Sequence, residues 1–151
     1  PVRNERPRVK IMADELSLKE LPRLYKACDV FILPSRGEGW GRPHVEAMSM
    51  GLPVIATNWS GPTAYLDSNY GYPLRYEMKP LPQSMQLPGH QWAEPSVDHL
   101  RLLMRHVYQN PQKVREKGRA ARQYMQTNFS PSVLADSVID HLRRAQHAYT
   151  T

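Results

Sequence analysis

Two carboxylates lie close together in the segment 35–51, SRGEGWGRPHVEAMSMG. Seven residues separate Glu38 from Glu46, and the first five of them, 39–43, form a spacer that contains two glycines and a proline. A carboxylate has two acceptor oxygens, which match the adjacent hydroxyls of a ribose or of a sugar ring. Either glutamate alone is more simply explained as a solvated loop acid or as an acid that stabilises a helix start. The pair with this spacer predicts a site for a ligand that carries two sugars.

The spacer leads from an apolar run at 30–34 into a helix predicted over about 43–50. Parallel sheets bind ligands beyond the carboxyl ends of their strands, where loops run into helix N-termini. Unpaired backbone N–H groups and the helix dipole favour phosphate at such a place. Gly39 and Gly41 would let the backbone approach a ligand closely, and Arg42 either adds positive charge there or points to solvent. Sugars at both carboxylates and a diphosphate at the helix start describe a nucleotide sugar.

The surrounding pattern predicts the elements that position these residues. Candidate strands alternate with helical segments, which is typical of βαβ units and a parallel sheet. The predicted strands cover residues 8–12, 30–34, 52–57 and 72–76. Ser17 and Glu20 have the spacing of a capping box before the first helix. The expected fold is α/β, with a partial Rossmann-like parallel sheet of three or four strands, helices on both faces and a helical C-terminal section.

The domain organisation is expected to be simple. Residues 1–7 are predicted to be a linker, and 8–151 to form one partial domain. Four prolines in 77–95 predict an extended insertion without regular structure. Residues 96–149 are predicted to be helical, with helix starts at the Asn-Pro and Ser-Pro steps near 110 and 130.

Composition excludes some functions and leaves others open. The net charge of +6 and the isoelectric point near 9.6 favour anionic partners in general. The C-terminal helices lack the interleaved aromatic residues of a nucleic-acid surface, so no nucleic acid is expected. Cys28 is the only cysteine, which excludes an internal disulfide and a multi-cysteine zinc site, and it is predicted to be a buried thiol. No run of about 18 apolar residues occurs, and the cytoplasm, or the cytosolic face of a membrane with peripheral contact, is the expected location.

The segment 21–66, LPRLYKACDVFILPSRGEGWGRPHVEAMSMGLPVIATNWSGPTAYL, strongly resembles the C-terminal donor-binding domain of the retaining group 1 glycosyltransferases, which have the GT-B architecture. The family signature is a glutamate, seven residues and a second glutamate, matched by Glu38 and Glu46. The resemblance implies that Glu38 is catalytic and contacts the donor sugar, while Glu46 binds the ribose diol. It also implies that the main chain from 39 to 43 faces the sugar and the diphosphate, through Gly39, Trp40, Gly41, Arg42 and Pro43. A UDP- or GDP-sugar donor is implied, with no metal and no cofactor.

The same resemblance implies missing parts. Members of this family have further strands before 8–12 and a separate N-terminal acceptor domain. The chain is therefore expected to be a nucleotide-sugar-binding half that transfers no hexose without that domain. An open sheet edge would also favour self-association. The alternative interpretation is a non-catalytic interaction module that keeps the glycosyltransferase fold.

Overall fold

A computed structural model describes residues 8–150, and three parallel strands form its central sheet. β1 (Phe31–Leu33), β2 (Val54–Thr57) and β3 (Tyr72–Leu74) lie in that order. β2 pairs in parallel with both of its neighbours. This confirms the predicted α/β class with a small Rossmann-like parallel sheet.

Five α-helices accompany the sheet within the described residues. They are α1 (Leu21–Lys26), α2 (Arg42–Ser49), α3 (Val97–Gln109), α4 (Pro111–Phe129) and α5 (Pro131–Thr150). Short 3₁₀ turns occupy Gly61–Ala64 and Gln83–Met85. Proline suits a helix start because its missing N–H would have no intrahelical partner there, and α4 and α5 begin at the two predicted prolines. The helical C-terminal section is thereby confirmed.

The core lies on both faces of β2, every residue of which is buried. Val54 and Ala56 belong to one apolar cluster, which also contains residues of α2 and α4. Ile55 belongs to a second cluster, with Val107 of α3 and Val114 of α4. Helices therefore cover both faces of the sheet, as predicted. This explains why the strand is a continuous apolar run rather than an alternating one.

The end of α2 is held by close contact with α4. Gly51 has φ +81°, the left-handed conformation that ends a helix. A Cβ at Gly118 of α4 would collide with the carbonyl oxygen of Gly51, so the two backbones lie directly against each other. Arg122 adds a hydrogen bond of 2.8 Å from its guanidinium to the carbonyl oxygen of Ser49. This contact fixes the helix that carries Glu46.

The strand predicted at 8–12 is wrong. This segment has no regular structure, and Val9 and Ile11 are 82% and 87% exposed. A short apolar run forms a strand only where a neighbour satisfies its backbone N–H and C=O groups. In the described part of the chain β1 pairs with β2 alone. The predicted linker at 1–7 lies outside the described residues.

The expectation that prolines exclude regular structure from 77–95 is also wrong. β4 (Tyr76–Pro80) and β5 (Gln91–Pro95) form an antiparallel hairpin. Two of the four prolines end these strands, and the other two lie in the loop between them. Both strands of a two-stranded ribbon are edge strands, and an edge strand tolerates proline because not every N–H is needed. The prolines therefore limit the strands without preventing them.

The predicted burial of Cys28 is wrong as well. Cys28 is exposed, because it lies in the turn between α1 and β1 rather than inside the strand. The apolar residues of α3 are only partly covered, since Val107 is buried but Val97 and Met104 are 68% and 48% exposed.

Candidate functional site

Two loops meet at the carboxyl edge of the sheet. The loop after β1 contains Glu38, and the loop after β2 contains Ser60. The N–H of Glu38 donates to the Ser60 hydroxyl at 2.9 Å, and that hydroxyl lies 2.9 Å from the Glu38 carbonyl oxygen, to which it donates. The N–H of Gly61 donates to the same carbonyl at 3.0 Å. The main chain of Glu38 is therefore fixed by a neighbouring loop, in an arrangement called the loop staple below (Glu38, Ser60 and Gly61).

The loop staple depends on unusual backbone geometry. Ser60 has φ 55° and ψ −140°, a sparsely populated conformation for a residue with a side chain. Such conformations cost about 1–3 kcal/mol and persist where surrounding contacts determine them. Thr63 supplies one such contact, since its hydroxyl donates to the Ser60 carbonyl oxygen at 2.7 Å. A Cβ at Gly61 would lie 2.8 Å from the Glu38 carbonyl oxygen and 2.6 Å from the Gly39 carbonyl carbon, so glycine is required there.

The carboxylate of Glu38 is accessible to a ligand. Its residue is partly buried, and the side chain makes no hydrogen bond or ion pair within residues 8–150. Burial raises the pKa of the neighbouring Tyr65 hydroxyl, and the negative charge of Glu38 raises it further. Tyr65 therefore remains a protonated donor, while both oxygens of Glu38 can accept hydrogen bonds from sugar hydroxyls.

The start of α2 is shaped by Tyr65 and His44. The Tyr65 hydroxyl donates to the Trp40 carbonyl oxygen at 2.6 Å and lies 3.3 Å from the Gly41 carbonyl oxygen. His44 Nδ1 lies 3.2 Å from the latter. The C=O and N–H groups of one trans peptide point in opposite directions. The N–H groups of Gly41 and Arg42 therefore point away from Tyr65, and no side chain caps the helix.

Gly41 cannot be replaced without disturbing this helix start. It has φ +86°, and a Cβ there would lie 2.8 Å from the Tyr65 hydroxyl oxygen and would also collide with His44. By contrast, a Cβ at Gly39 would meet nothing within 4 Å. Of the two glycines singled out in the sequence, only Gly41 is at a position where the structure requires glycine. Gly39 is exposed and lies next to Glu38 in the chain.

The side chains of the spacer differ in their surroundings. The indole of Trp40 packs edge-on against Tyr65 at 5.1 Å and against Phe129 of α4 at 5.5 Å, and it is 39% exposed. Pro43 is exposed in the first turn of α2. Of the two orientations considered for Arg42, solvent is the observed one, because its side chain is 86% exposed. Arg42 makes only a 3.6 Å ion pair with Glu46, of a kind worth little in water.

Glu46 lies one turn inside α2 and is held by Tyr25 of α1. The Tyr25 hydroxyl donates to Glu46 Oε2 at 3.1 Å. Its ring is buried and packs edge-on against Phe31 of β1 at 5.9 Å. Burial and the hydrogen bond to Glu46 raise the pKa of Tyr25 to about 12, so the phenol is a donor at neutral pH. The sequence analysis did not single out Tyr25 as a site residue, although a buried tyrosine hydroxyl usually has a partner.

The hairpin of β4 and β5 is anchored to the Glu38 loop by Arg36. The Arg36 guanidinium makes two hydrogen bonds to the Glu94 carboxylate, at 2.6 and 3.0 Å. It also lies 4.3 Å from the centre of the Trp92 ring. The N–H of Ala93 donates to the Arg36 carbonyl oxygen at 3.3 Å. The insertion is thus attached two residues before Glu38, and the bonds from Arg36 lower the pKa of Glu94.

Neither a metal cluster nor a membrane-spanning helix is found between residues 8 and 150. No three His, Cys, Asp or Glu side chains of this part lie close enough together to hold a metal ion. None of its helices is both long and apolar enough to cross a bilayer.

Comparison with known proteins supports one family. Residues 10–74 match the family model of the group 1 glycosyl transferases. The O-antigen chain mannosyltransferase B of Escherichia coli is 50% identical over 40 residues, which is 26% of this chain and 10% of that protein. This chain therefore spans only about a tenth of the length of that curated relative.

Two solved structures share the fold. Sucrose-phosphate synthase from Thermosynechococcus elongatus matches 89% of this chain and 29% of its own, with a TM-score of 0.69 and 21% identity. Anabaena HepE, solved with UDP and glucose, matches 83% of this chain and 30% of its own, with a TM-score of 0.64 and 21% identity. At such identities the likeness concerns the fold, and the family model concerns the segment that forms the site. Residues 10–74 are therefore similar to the group 1 glycosyl transferases, and the two solved structures show that the chain shares their fold.

Proposed function

We propose that this chain is the donor-binding part of a retaining hexosyltransferase that uses a UDP- or GDP-sugar. The observation that carries the proposal is the Glu38 carboxylate, which has no partner within the described residues although its main chain is fixed by the loop staple. It lies four residues before the uncapped start of α2, the helix that also carries Glu46. A hydroxyl-binding acid and an anion-binding helix end are the two features that a nucleotide sugar requires.

The two glutamates have different proposed tasks. Glu46 accepts hydrogen bonds from the ribose diol and so contributes to donor affinity. Glu38 contacts hydroxyls of the reacting sugar, where bonds that strengthen in the transition state raise the rate. The N–H groups at the start of α2 stabilise the departing diphosphate, with Gly41 and Arg42 oriented by Tyr65. Transfer proceeds without a metal or cofactor in this proposal, in the cytoplasm or at the cytosolic face of a membrane.

The donor-binding role is tested by Glu46→Gln in the full-length protein. Loss of a charged hydrogen-bond partner costs about 1.5–3 kcal/mol, so the affinity for UDP or GDP should fall about 10- to 150-fold. Isothermal titration with both nucleotides measures this change. Glu116→Gln is the matched control, because Glu116 is an exposed glutamate on α4 away from the site. Failure of the wild-type full-length protein to bind either nucleotide would contradict the proposal.

A separate expectation concerns the 151-residue polypeptide expressed alone. The acceptor contacts are attributed to another domain, so this polypeptide should transfer no hexose. β1 has a neighbour on one side only in the described part of the chain, and an open edge favours pairing with another molecule. Sedimentation should therefore detect self-association. Steady hexose transfer, or a monomer that unfolds cooperatively, would contradict the respective half of this expectation.

A further inference from the structure

The hydrogen bond between Tyr25 and Glu46 joins two helices that are separated by a strand in the chain. Tyr25 is 8% exposed, and its ring lies in the apolar cluster with Ala47 and Met48 of α2. The phenol therefore has a fixed position, unlike a long surface side chain. A hydroxyl held in this way determines where Glu46 Oε2 lies, at 3.1 Å from it.

Arg42 cannot hold the carboxylate in the same way. Its guanidinium is 3.6 Å from Glu46 Oε1, which is an ion-pair distance rather than a hydrogen bond. The Arg42 side chain is 86% exposed, so its charge is screened by salt and its pairing with Glu46 is weak. Among the described residues, Tyr25 is the buried partner of Glu46 and Arg42 is the exposed one.

A carboxylate that binds a diol must present two acceptor positions in a fixed plane. Each carboxylate oxygen has two lone pairs, so accepting one bond from Tyr25 leaves Oε1 and the second lone pair of Oε2 available. A carboxylate that is already oriented loses less rotational freedom when two adjacent hydroxyls donate to these positions. The side chain of Glu46 is 36% exposed, so part of it is accessible from solvent.

We infer that Tyr25 is a positioning residue that orients the Glu46 carboxylate for recognition of the ribose 2′- and 3′-hydroxyls of a nucleoside diphosphate. The inference rests on the proposed function, and it adds a residue that lies outside the two-glutamate segment. Tyr25 itself touches no substrate. Tyr25 is therefore expected to affect the affinity for the donor and the preference for ribose over deoxyribose, and not the turnover number.

Tyr25→Phe in the full-length protein tests this role, because it removes one oxygen and keeps the ring packing against Phe31. The probes are UDP, GDP and their 2′-deoxy forms, titrated by calorimetry. Removal of one hydrogen bond is expected to weaken ribonucleotide binding about 3- to 10-fold. The 2′-deoxy forms should lose less, so the preference for ribose falls, while kcat at saturating donor stays near the wild-type value.

Tyr70→Phe is the matched control. The Tyr70 ring stacks on Tyr124 at 4.1 Å beside the same apolar cluster, and its hydroxyl makes no hydrogen bond within the described residues. This variant should keep wild-type affinities and ribose preference. In a Glu46→Ala background, Tyr25→Phe should change neither quantity further, since the carboxylate that it orients is absent.

The outcomes separate this inference from the proposed function. If nucleotide binding depends on Glu46 but the Tyr25→Phe protein behaves like wild type, the inference is overturned and the proposed function is not. Equal losses for ribose and deoxyribose forms, or failure of Tyr25→Phe to fold, assign the hydroxyl a structural role and also overturn it. If the wild-type full-length protein binds neither UDP nor GDP, both the inference and the proposed function are overturned.

Discussion

Glu38→Gln in the full-length protein is expected to lower kcat about 10- to 150-fold, which corresponds to about 1.5–3 kcal/mol of lost charged hydrogen bonding. Glutamine keeps the shape of the side chain and removes its charge. The main chain at 38 is held by the hydroxyl and N–H of the neighbouring loop. The variant should therefore fold normally and bind the nucleotide almost as well as wild type, because the lost contact acts mainly in the transition state.

Steady-state kinetics together with nucleotide titration measure this division between turnover and binding. Glu77→Gln on the hairpin is the control, since Glu77 is exposed and pairs only loosely with Lys79, at 3.7 Å. Loss of nucleotide affinity with unchanged kcat would contradict the role assigned to Glu38. A wild-type full-length protein that binds nucleotide but transfers no sugar would instead support the alternative of a non-catalytic module.

Gly61→Ala is expected to destabilise the protein through the loop staple. The added Cβ would meet the Glu38 carbonyl oxygen at 2.8 Å and the Gly39 carbonyl carbon at 2.6 Å. Both are backbone atoms, so no side-chain rotation can relieve the contact. Overpacking costs about 1–3 kcal/mol, and the reduced entropy of the unfolded chain returns about 0.4–1 kcal/mol. The free energy of unfolding should fall by about 1–2 kcal/mol.

Urea denaturation of the full-length variant measures the effect, and Gly37→Ala is the matched control. Gly37 lies in the same loop, and a Cβ there would meet nothing within 4 Å. Gly37→Ala should therefore leave the unfolding midpoint unchanged or slightly raised. Equal midpoints for the two variants would show that the close contact at Gly61 is not required.

The sequence predicted the elements between β1 and β3 because local signals agreed there. The runs at 30–34 and 52–57 are apolar and β-branched, and Pro43 and Gly51 mark the ends of α2. The same signals located the Glu38–Glu46 segment at the carboxyl edge of a parallel sheet. The functional roles of these residues remain predictions, because a fold alone does not determine a reaction.

Other features depended on contacts between distant residues. The segment 8–12 has strand-like residues but no neighbour to pair with, and the prolines of 77–95 are compatible with a ribbon that the sequence did not predict. Tyr25 and Ser60 meet the site glutamates across 21 and 22 positions. A signal for Ser60 existed, because it follows β2, and parallel strands bring their following loops to one edge.

The loop staple also bears on how such a protein can change over evolutionary time. Its hydrogen bonds involve the main chain of Glu38, so the identity of the side chain at this position contributes little to folding. If the proposed role of Glu38 holds, a single substitution there would remove the sugar contact in a descendant while the loop staple keeps its hydrogen bonds. After gene duplication, one copy would then lose the proposed reaction and keep its fold. Substitution at Gly61 would not open this route, since it would damage the framework before it altered the chemistry.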